Sequence, residues 1–288
     1  MVMEFIYSVN NAWYNGVYRD KKEPCNAARS FSLIHTPKSN KAVLCIHGYT
    51  GYPGELTRPA IDLYEAGFDV YCPRLPGHGT SGDDFLKIKG EDLIKVPQAA
   101  AKDLLNQYDE VHVLGHSMGG ALALITAAGE DRLKSVAVAG PGIVEDESKL
   151  PAKLSVMKLI GFFKKRIKKE WAADPEFIMY YENAPADDEY LGSEYWSYLY
   201  PRQLAMLFKI MIKGGEAVLS LKQDVLTISG GKDEIIGAGS SEYIVRKGKG
   251  NNEHLHLKNA THYMFYDKDK SEESIAVETV LDWFGRKR

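Results

Sequence analysis

The sequence holds only three cysteines in 288 residues, Cys25, Cys45 and Cys72. They are odd in number, widely spaced and outside any CxxC pattern, which argues against a disulfide framework or a zinc site. Cys45 and Cys72 sit in apolar runs, where a free thiol behaves as a small hydrophobe, so reduced core cysteines in a cytoplasmic protein are expected. An excess of charge of one sign is also missing: 36 basic and 39 acidic residues leave a formal charge of −3, and no basic tract interleaved with aromatic residues appears in the core segments, so nucleic acid is not expected as a partner. No apolar stretch is long enough to span a bilayer. The N-terminal MVMEFIYSVNNAWYNGVYRD has no basic n-region, continuous apolar h-region or small-residue cleavage site, so no signal peptide is expected. Internal repeats and low-complexity tracts are absent too. The 44% of hydrophobic residues is enough to bury a sizeable core.

What is present from Lys41 onward is an alternation of short β-branched runs with longer segments of helical period, the pattern of a parallel sheet flanked by helices. Strands are expected at 42–46, 68–72, 110–114 and 135–139, with helices at 53–66, 91–108 and 118–128 between them. The regularity breaks after Gly142 and resumes at Asp224. Residues 145–200 are therefore expected to form a cap inserted into a core of 1–144 and 201–288. A return helix at about 201–213, strands at 225–229 and 254–257, and helices near 241–247 and 271–284 complete the reading. Glycine-rich turns follow the C-terminal ends of the strands, where open α/β sheets place their ligands.

One of these turns carries chemistry. Residues 111–120 read VHVLGHSMGG: a buried strand runs into Gly115-His116-Ser117-Met118-Gly119 and then a helix. This G-x-S-x-G pattern puts a serine hydroxyl on a strained strand-to-helix turn, and its glycines let strand and helix approach closely. The helix N-terminus beneath adds partial positive charge and a free N–H from Met118 to receive an oxyanion. The loop HGYTG at 47–51, after the strand VLCI, is expected to supply a second donor from the backbone N–H of Tyr49. His47 reads as a histidine orienting that loop.

A serine nucleophile needs a base, and the base needs an acid that fixes its tautomer. His262, in NATHYMF ahead of the final helix, is the candidate base. His254 and His256 lie within a strand and read as packed or surface residues. Asp233, in LTISGGKDEII, is the candidate acid, preferred to Glu234 on turn context, with Glu145 a distant alternative. The order Ser117, Asp233, His262 is the one that accompanies this elbow. No metal or organic cofactor is implied.

HGYTG, RLPGHGTS at 74–81, GHSMGG, GGKDEII and THYMF together resemble the bacterial carboxylesterases and monoacylglycerol lipases of the α/β-hydrolase superfamily. The resemblance covers about 41–142 and 201 onward. It implies an α/β-hydrolase fold, catalytic roles for Ser117, Asp233 and His262, oxyanion donors at Tyr49 and Met118, and a shaping role for the loop of His78. It also implies cleavage of a carboxylic ester. The same residues would serve a thioesterase, lactonase, amidase or C–C hydrolase, and a binding module that kept the fold is a reading from another class. Fold and triad set the reaction type, while pocket and cap set the substrate.

The insertion matches no named pattern. Its aromatic content (Phe162, Phe163, Trp171, Phe177, Tyr180, Tyr181, Tyr195, Trp196) fits the core of a small cap or the wall of an apolar pocket. Within 149–171, KLPAKLSVMKLIGFFKKRIKKEW places Val156, Leu159, Ile160, Phe163 and Ile167 at helical spacing amid seven lysines and arginines from Lys153 to Lys169. The stripe is expected to pack on the core above the site, with the basic residues solvated. The alternative is a basic amphipathic helix on an anionic lipid surface, and under either reading the segment is expected to act as a lid that admits a lipid-like ester such as a monoacylglycerol.

Overall fold

The computed structural model describes residues 3–8, 17–145, 153–172 and 185–286. Its centre is a sheet of eight strands: β1 (Ile6–Ser8), β2 (Ser30–Leu33), β3 (Lys41–Ile46), β4 (Asp69–Cys72), β5 (Glu110–His116), β6 (Ser135–Ala139), β9 (Asp224–Gly230) and β10 (Glu253–Leu257). Their order is β1-β2-β4-β3-β5-β6-β9-β10. Pairing is parallel from β4 to β10 and antiparallel for β2 on β4 and β1 on β2.

Burial on both faces explains the near-continuous apolar strands. Along β3, Ala42, Leu44 and Ile46 face one core cluster while Val43 and Cys45 face the other, as the two-residue strand period requires. The first cluster is closed by α3 (Gly90–Leu105), α4 (Met118–Ala128), α7 (Pro201–Val218) and α8 (Gly239–Lys247). The second is closed by α1 (Thr57–Glu65) and α9 (Lys270–Gly285). The expected strands and helices between Lys41 and Ala139 lie within four residues of these elements; the short strands β1 and β2 and the one-turn helix α2 (Gly82–Phe85) were not anticipated.

Between β6 and α7 the chain forms α5 (Lys153–Phe163), β7 (Ile167–Lys168), α6 (Pro185–Leu191), a π-turn at Gly192–Trp196 and β8 (Tyr198–Leu199), which pairs with β7. Two expectations are corrected here. The basic amphipathic segment is not one helix across 149–171. It leaves the helix at Phe163, where Lys164, Lys165 and Arg166 bring like charges together. Arg166 then turns to Asp83 at 2.9 Å and to the ring of Tyr198, which draws the chain into a strand. Nor does most of the apolar stripe pack on the core: Val156, Leu159 and Phe163 are exposed, and only Ile160 and Ile167 are partly covered. Helix α5 leans on α7 through Gly161, which lies against Pro201 and Arg202. Leu159, Phe162 and Phe163 are 64%, 83% and 76% exposed. Lys149, Phe177, Tyr180 and Tyr181 lie outside the described residues.

Residues 187–200 are instead clamped onto the loop after β4. The Tyr195 hydroxyl accepts the Thr80 N–H at 2.9 Å and donates to the Gly77 carbonyl at 3.0 Å. Glu194 accepts the Gly82 N–H at 2.8 Å, and Tyr190 donates to the Thr80 carbonyl. On the other side Asp187 accepts the Ala27 N–H, and Asp188 accepts the Tyr52 hydroxyl at 2.6 Å.

Candidate active site

Ser117 sits between β5 and α4 with φ +55° and ψ −120°, a conformation that side-chain-bearing residues rarely adopt. Neighbouring backbone holds it there: its N–H donates to the Ala139 carbonyl at 2.9 Å, and its carbonyl accepts the Gly142 N–H at 2.9 Å. The flanking glycines are required by space. A Cβ on Gly119 would fall 2.0 Å from the Ile46 carbonyl oxygen, and one on Gly115 would fall 2.3 Å from that of Gly119. The hydroxyl is thereby raised at the C-terminal edge of the sheet, over the start of α4.

His262, on the loop after β10, places Nε2 2.9 Å from Ser117 Oγ and Nδ1 2.8 Å from Asp233 Oδ2. Asp233, on the loop after β9, fixes its other oxygen by accepting the N–H groups of Ile235 and Ile236, both at 2.8 Å. Burial opposes the charge of this carboxylate, but the bond from His262 and the two backbone donors outweigh it and hold its pKa below the ordinary value. Burial pushes His262 below its usual 6.5 despite Asp233, which leaves a neutral imidazole with Nε2 free to accept a proton.

The other acid candidates lie elsewhere. Glu145 forms a 2.8 Å pair with Arg246, and Glu234 is exposed. His254 and His256 share the Ser229 hydroxyl at the sheet edge, at 2.7 and 2.9 Å. His47 accepts the Leu75 N–H at Nε2 (2.9 Å) and bonds the Gly48 carbonyl through Nδ1 (3.0 Å), so it ties two loops together as a neutral ring. His78 is fully buried, with Nδ1 on the Pro76 carbonyl at 2.9 Å.

A cavity of about 700 Å³ opens above Ser117, and Tyr49, Met118, His262 and Tyr263 line it at the serine. Met118 is the first residue of α4, whose leading N–H groups have no partner within the helix. The far wall comes from Trp171, Trp196 and Tyr198, with Leu207 and Met211 of α7. Trp196 donates from its indole N–H to the Thr50 carbonyl at 3.2 Å, which joins that wall to the HGYTG loop. Two residues at the site were given no role from the sequence, although one of them lies within the G-x-S-x-G motif. Glu55, just ahead of α1, and His116, immediately before Ser117, meet at 3.1 Å in the interior. Among the described residues no group of acidic, histidine or cysteine side chains is arranged to hold a metal ion.

Comparison with known proteins agrees with this architecture. A thermostable monoacylglycerol lipase from Bacillus sp. (strain H-257) is 37% identical over 86 residues, which cover 30% of this chain and 34% of that protein. A monoacylglycerol lipase from Mycolicibacterium smegmatis is 23% identical over 270 residues, 87% of this chain and 90% of that one. Among solved structures, one from a study of two metagenome-derived lipolytic enzymes, LipS and LipT, superposes with a TM-score of 0.76 at 20% identity. It covers 91% of this chain and 98% of the other. Residues 43–273 match the alpha/beta hydrolase family, and the chain belongs to that family.

Proposed function

We propose that this protein is a serine hydrolase of carboxylic esters, of the carboxylesterase or monoacylglycerol lipase type. The observation that carries the reading is the continuous hydrogen-bonded chain from Ser117 through His262 to Asp233 beneath a cavity. His262 Nε2 takes the hydroxyl proton as Ser117 Oγ bonds to the ester carbon, and the carbonyl electron pair moves onto oxygen. The backbone N–H groups of Tyr49 and Met118 receive that oxyanion. Its collapse breaks the bond to the alcohol oxygen, which leaves with the proton from His262. Water, deprotonated by His262, then repeats the addition at the acyl-enzyme and releases the acid and Ser117.

A lipid-like ester suits the cavity because its walls are largely aliphatic and aromatic. Residues 145–200 act in this reading as a cap that shapes the entrance. The exposed apolar face of α5, with exposed Lys164, Lys165 and Lys168 just beyond it, is the part suited to meet an anionic lipid surface. Among the described residues no helix is long and apolar enough to cross a membrane, so such contact would be peripheral. The cysteines are unpaired, which fits a reducing, cytoplasmic setting.

The test is turnover of p-nitrophenyl esters of increasing acyl length, with fluorophosphonate labelling, for the wild type and Ser117→Ala. The expected result is labelling and turnover that vanish in the variant, with preference for medium or long chains. A labelled, active Ser117→Ala protein overturns the reading, and activity confined to acetyl esters overturns the lipid-like substrate.

A further inference from the structure

Glu55 and His116 form a buried ion pair that none of the catalytic steps uses. Their side chains are 3% and 2% exposed, and Oε1 lies 3.1 Å from Nδ1. The same oxygen accepts the Gly48 N–H at 2.5 Å. His116 Nε2 is 2.8 Å from the main-chain carbonyl of His262. A carbonyl oxygen only accepts, so Nε2 carries a hydrogen. Nδ1 faces a carboxylate that already accepts from Gly48, so it too carries one. His116 is then an imidazolium paired with a carboxylate, in a place where an unpaired charge would be costly. Burial acts against that charge, but Glu55 and the His262 carbonyl prevail, and the His116 pKa lies above its ordinary value.

We propose that the Glu55–His116 pair positions the site. Glu55 holds the Gly48 end of the HGYTG loop, His116 holds the backbone of His262, and the pair sets both against Ser117. The inference rests on the assignment of Ser117 and His262 above. Three chain segments far apart in sequence converge on it: the loop after β3, the end of β5 and the loop after β10. Close packing makes the placement sensitive, because a Cβ on Gly48 would already stand 3.2 Å from Ser117 Cβ.

The pair is also electrically coupled to the base. The His116 and His262 rings are 5.0 Å apart. The charge of His116 lowers the His262 pKa, while Asp233 and, more weakly, Glu55 raise it. The remaining titratable groups around the pair are His47, Tyr52, Cys72, Tyr263 and Tyr266. Burial keeps all of them uncharged near neutral pH.

The variants E55Q and H116Q test the pair alongside S117A. E55Q keeps an oxygen to accept from Gly48 but removes the carboxylate, so burial returns His116 to its neutral form. H116Q keeps a donor for the His262 carbonyl and breaks the link to Glu55. Both are expected to fold, to lose about 10- to 100-fold in kcat with little change in KM, and to move the acidic limb of kcat/KM to higher pH. The pH shift follows because the positive charge that depresses His262 is gone. A role in folding alone would lower the melting temperature and leave the limb in place. If one variant does not fold, the other carries the same expectation. Wild-type kcat and an unmoved limb in a folded variant, with S117A inactive, overturn the inference and leave the nucleophile intact; an active S117A overturns the assignment beneath it.

Discussion

Gly140 stands against the imidazole of His262. A Cβ built on it would lie 3.1 Å from His262 Nδ1 and 3.4 Å from Asp233 Oδ2, and its φ of +51° belongs to the left-handed region. Gly140→Ala thus faces strain in its backbone and crowding at the bond between His262 and Asp233. The expected outcome is a fall of about 100-fold in kcat/KM, far beyond the 1–2 kcal/mol or so of lost stability that such a backbone costs. Steady-state kinetics beside urea denaturation measure both; near-wild-type kinetics would show that the loop yields without disturbing His262.

Removal of the three hydrogen-bonded side chains grades their roles. Ser117→Ala and His262→Ala should each lose about 10⁶-fold in kcat, because nucleophile and base act as a unit. Asp233→Asn should lose about 10⁴-fold through the wrong tautomer of His262. Glu145→Gln breaks only an exposed pair with Arg246 and should be silent. A crippled Glu145→Gln beside a healthy Asp233→Asn would reassign the acid.

The parallel sheet was legible in the sequence, and the three side chains of the proposed triad could be named because the turns that carry them follow the strands in a set order. Doubly buried strands are apolar runs, and the strand-turn-helix elbow demands glycines at fixed offsets. The antiparallel strands β1 and β2 were not legible, being three and four residues long and with register supplied by their partners. The pairing of Glu55 with His116 was not legible because the two are 61 positions apart and meet only through the fold. The exposed face of α5 was misread for a related reason. A helical stripe reports which side is apolar and not whether anything covers it.

The clamp between residues 187–200 and the loop after β4 hangs on the Tyr195 hydroxyl, which serves the Thr80 N–H and the Gly77 carbonyl at once. Tyr195→Phe leaves both buried backbone groups without a partner, at about 1–3 kcal/mol each. Destabilisation of about 2 kcal/mol or more in urea denaturation is expected, with a raised KM if the cavity wall loosens. A loss under about 0.5 kcal/mol would mean that water replaces the hydroxyl.

Acid stability follows from the buried histidines. Burial lowers His78 and His112 to about 4 and His47 well below its usual value. The unfolded chain binds these protons from about pH 6.5 downward while the folded chain does not, so their contribution is complete above that pH and lost below it. Each contributes a slope of about 1.4 kcal/mol per pH unit. His116 has the opposite sign, and its contribution is fully present in this acid range. The urea midpoint should fall steeply from about pH 6.5 to 4.5; a flat midpoint would contradict buried neutral histidines.

The last expectation concerns the lipid surface. Phe162 and Phe163 stack edge to face, 5.3 Å apart, and are almost fully exposed, so transfer from water into lipid removes apolar area that the fold leaves uncovered. Burying two such rings is worth about 3 kcal/mol, or roughly 100-fold in partitioning. Neither residue lines the cavity, so Phe162→Ser/Phe163→Ser should weaken vesicle binding by that factor while turnover of a short soluble ester stays at the wild-type rate. Replacing Lys164, Lys165 and Lys168 by Gln should weaken binding to anionic vesicles by about 1 kcal/mol per charge and leave neutral vesicles nearly unaffected. Added salt should erase the difference between the two vesicle types for the wild type. Co-sedimentation with vesicles of each composition reads all three effects. Equal binding by wild type and both variants would remove the lipid surface as a partner and leave α5 as a solvent-facing helix.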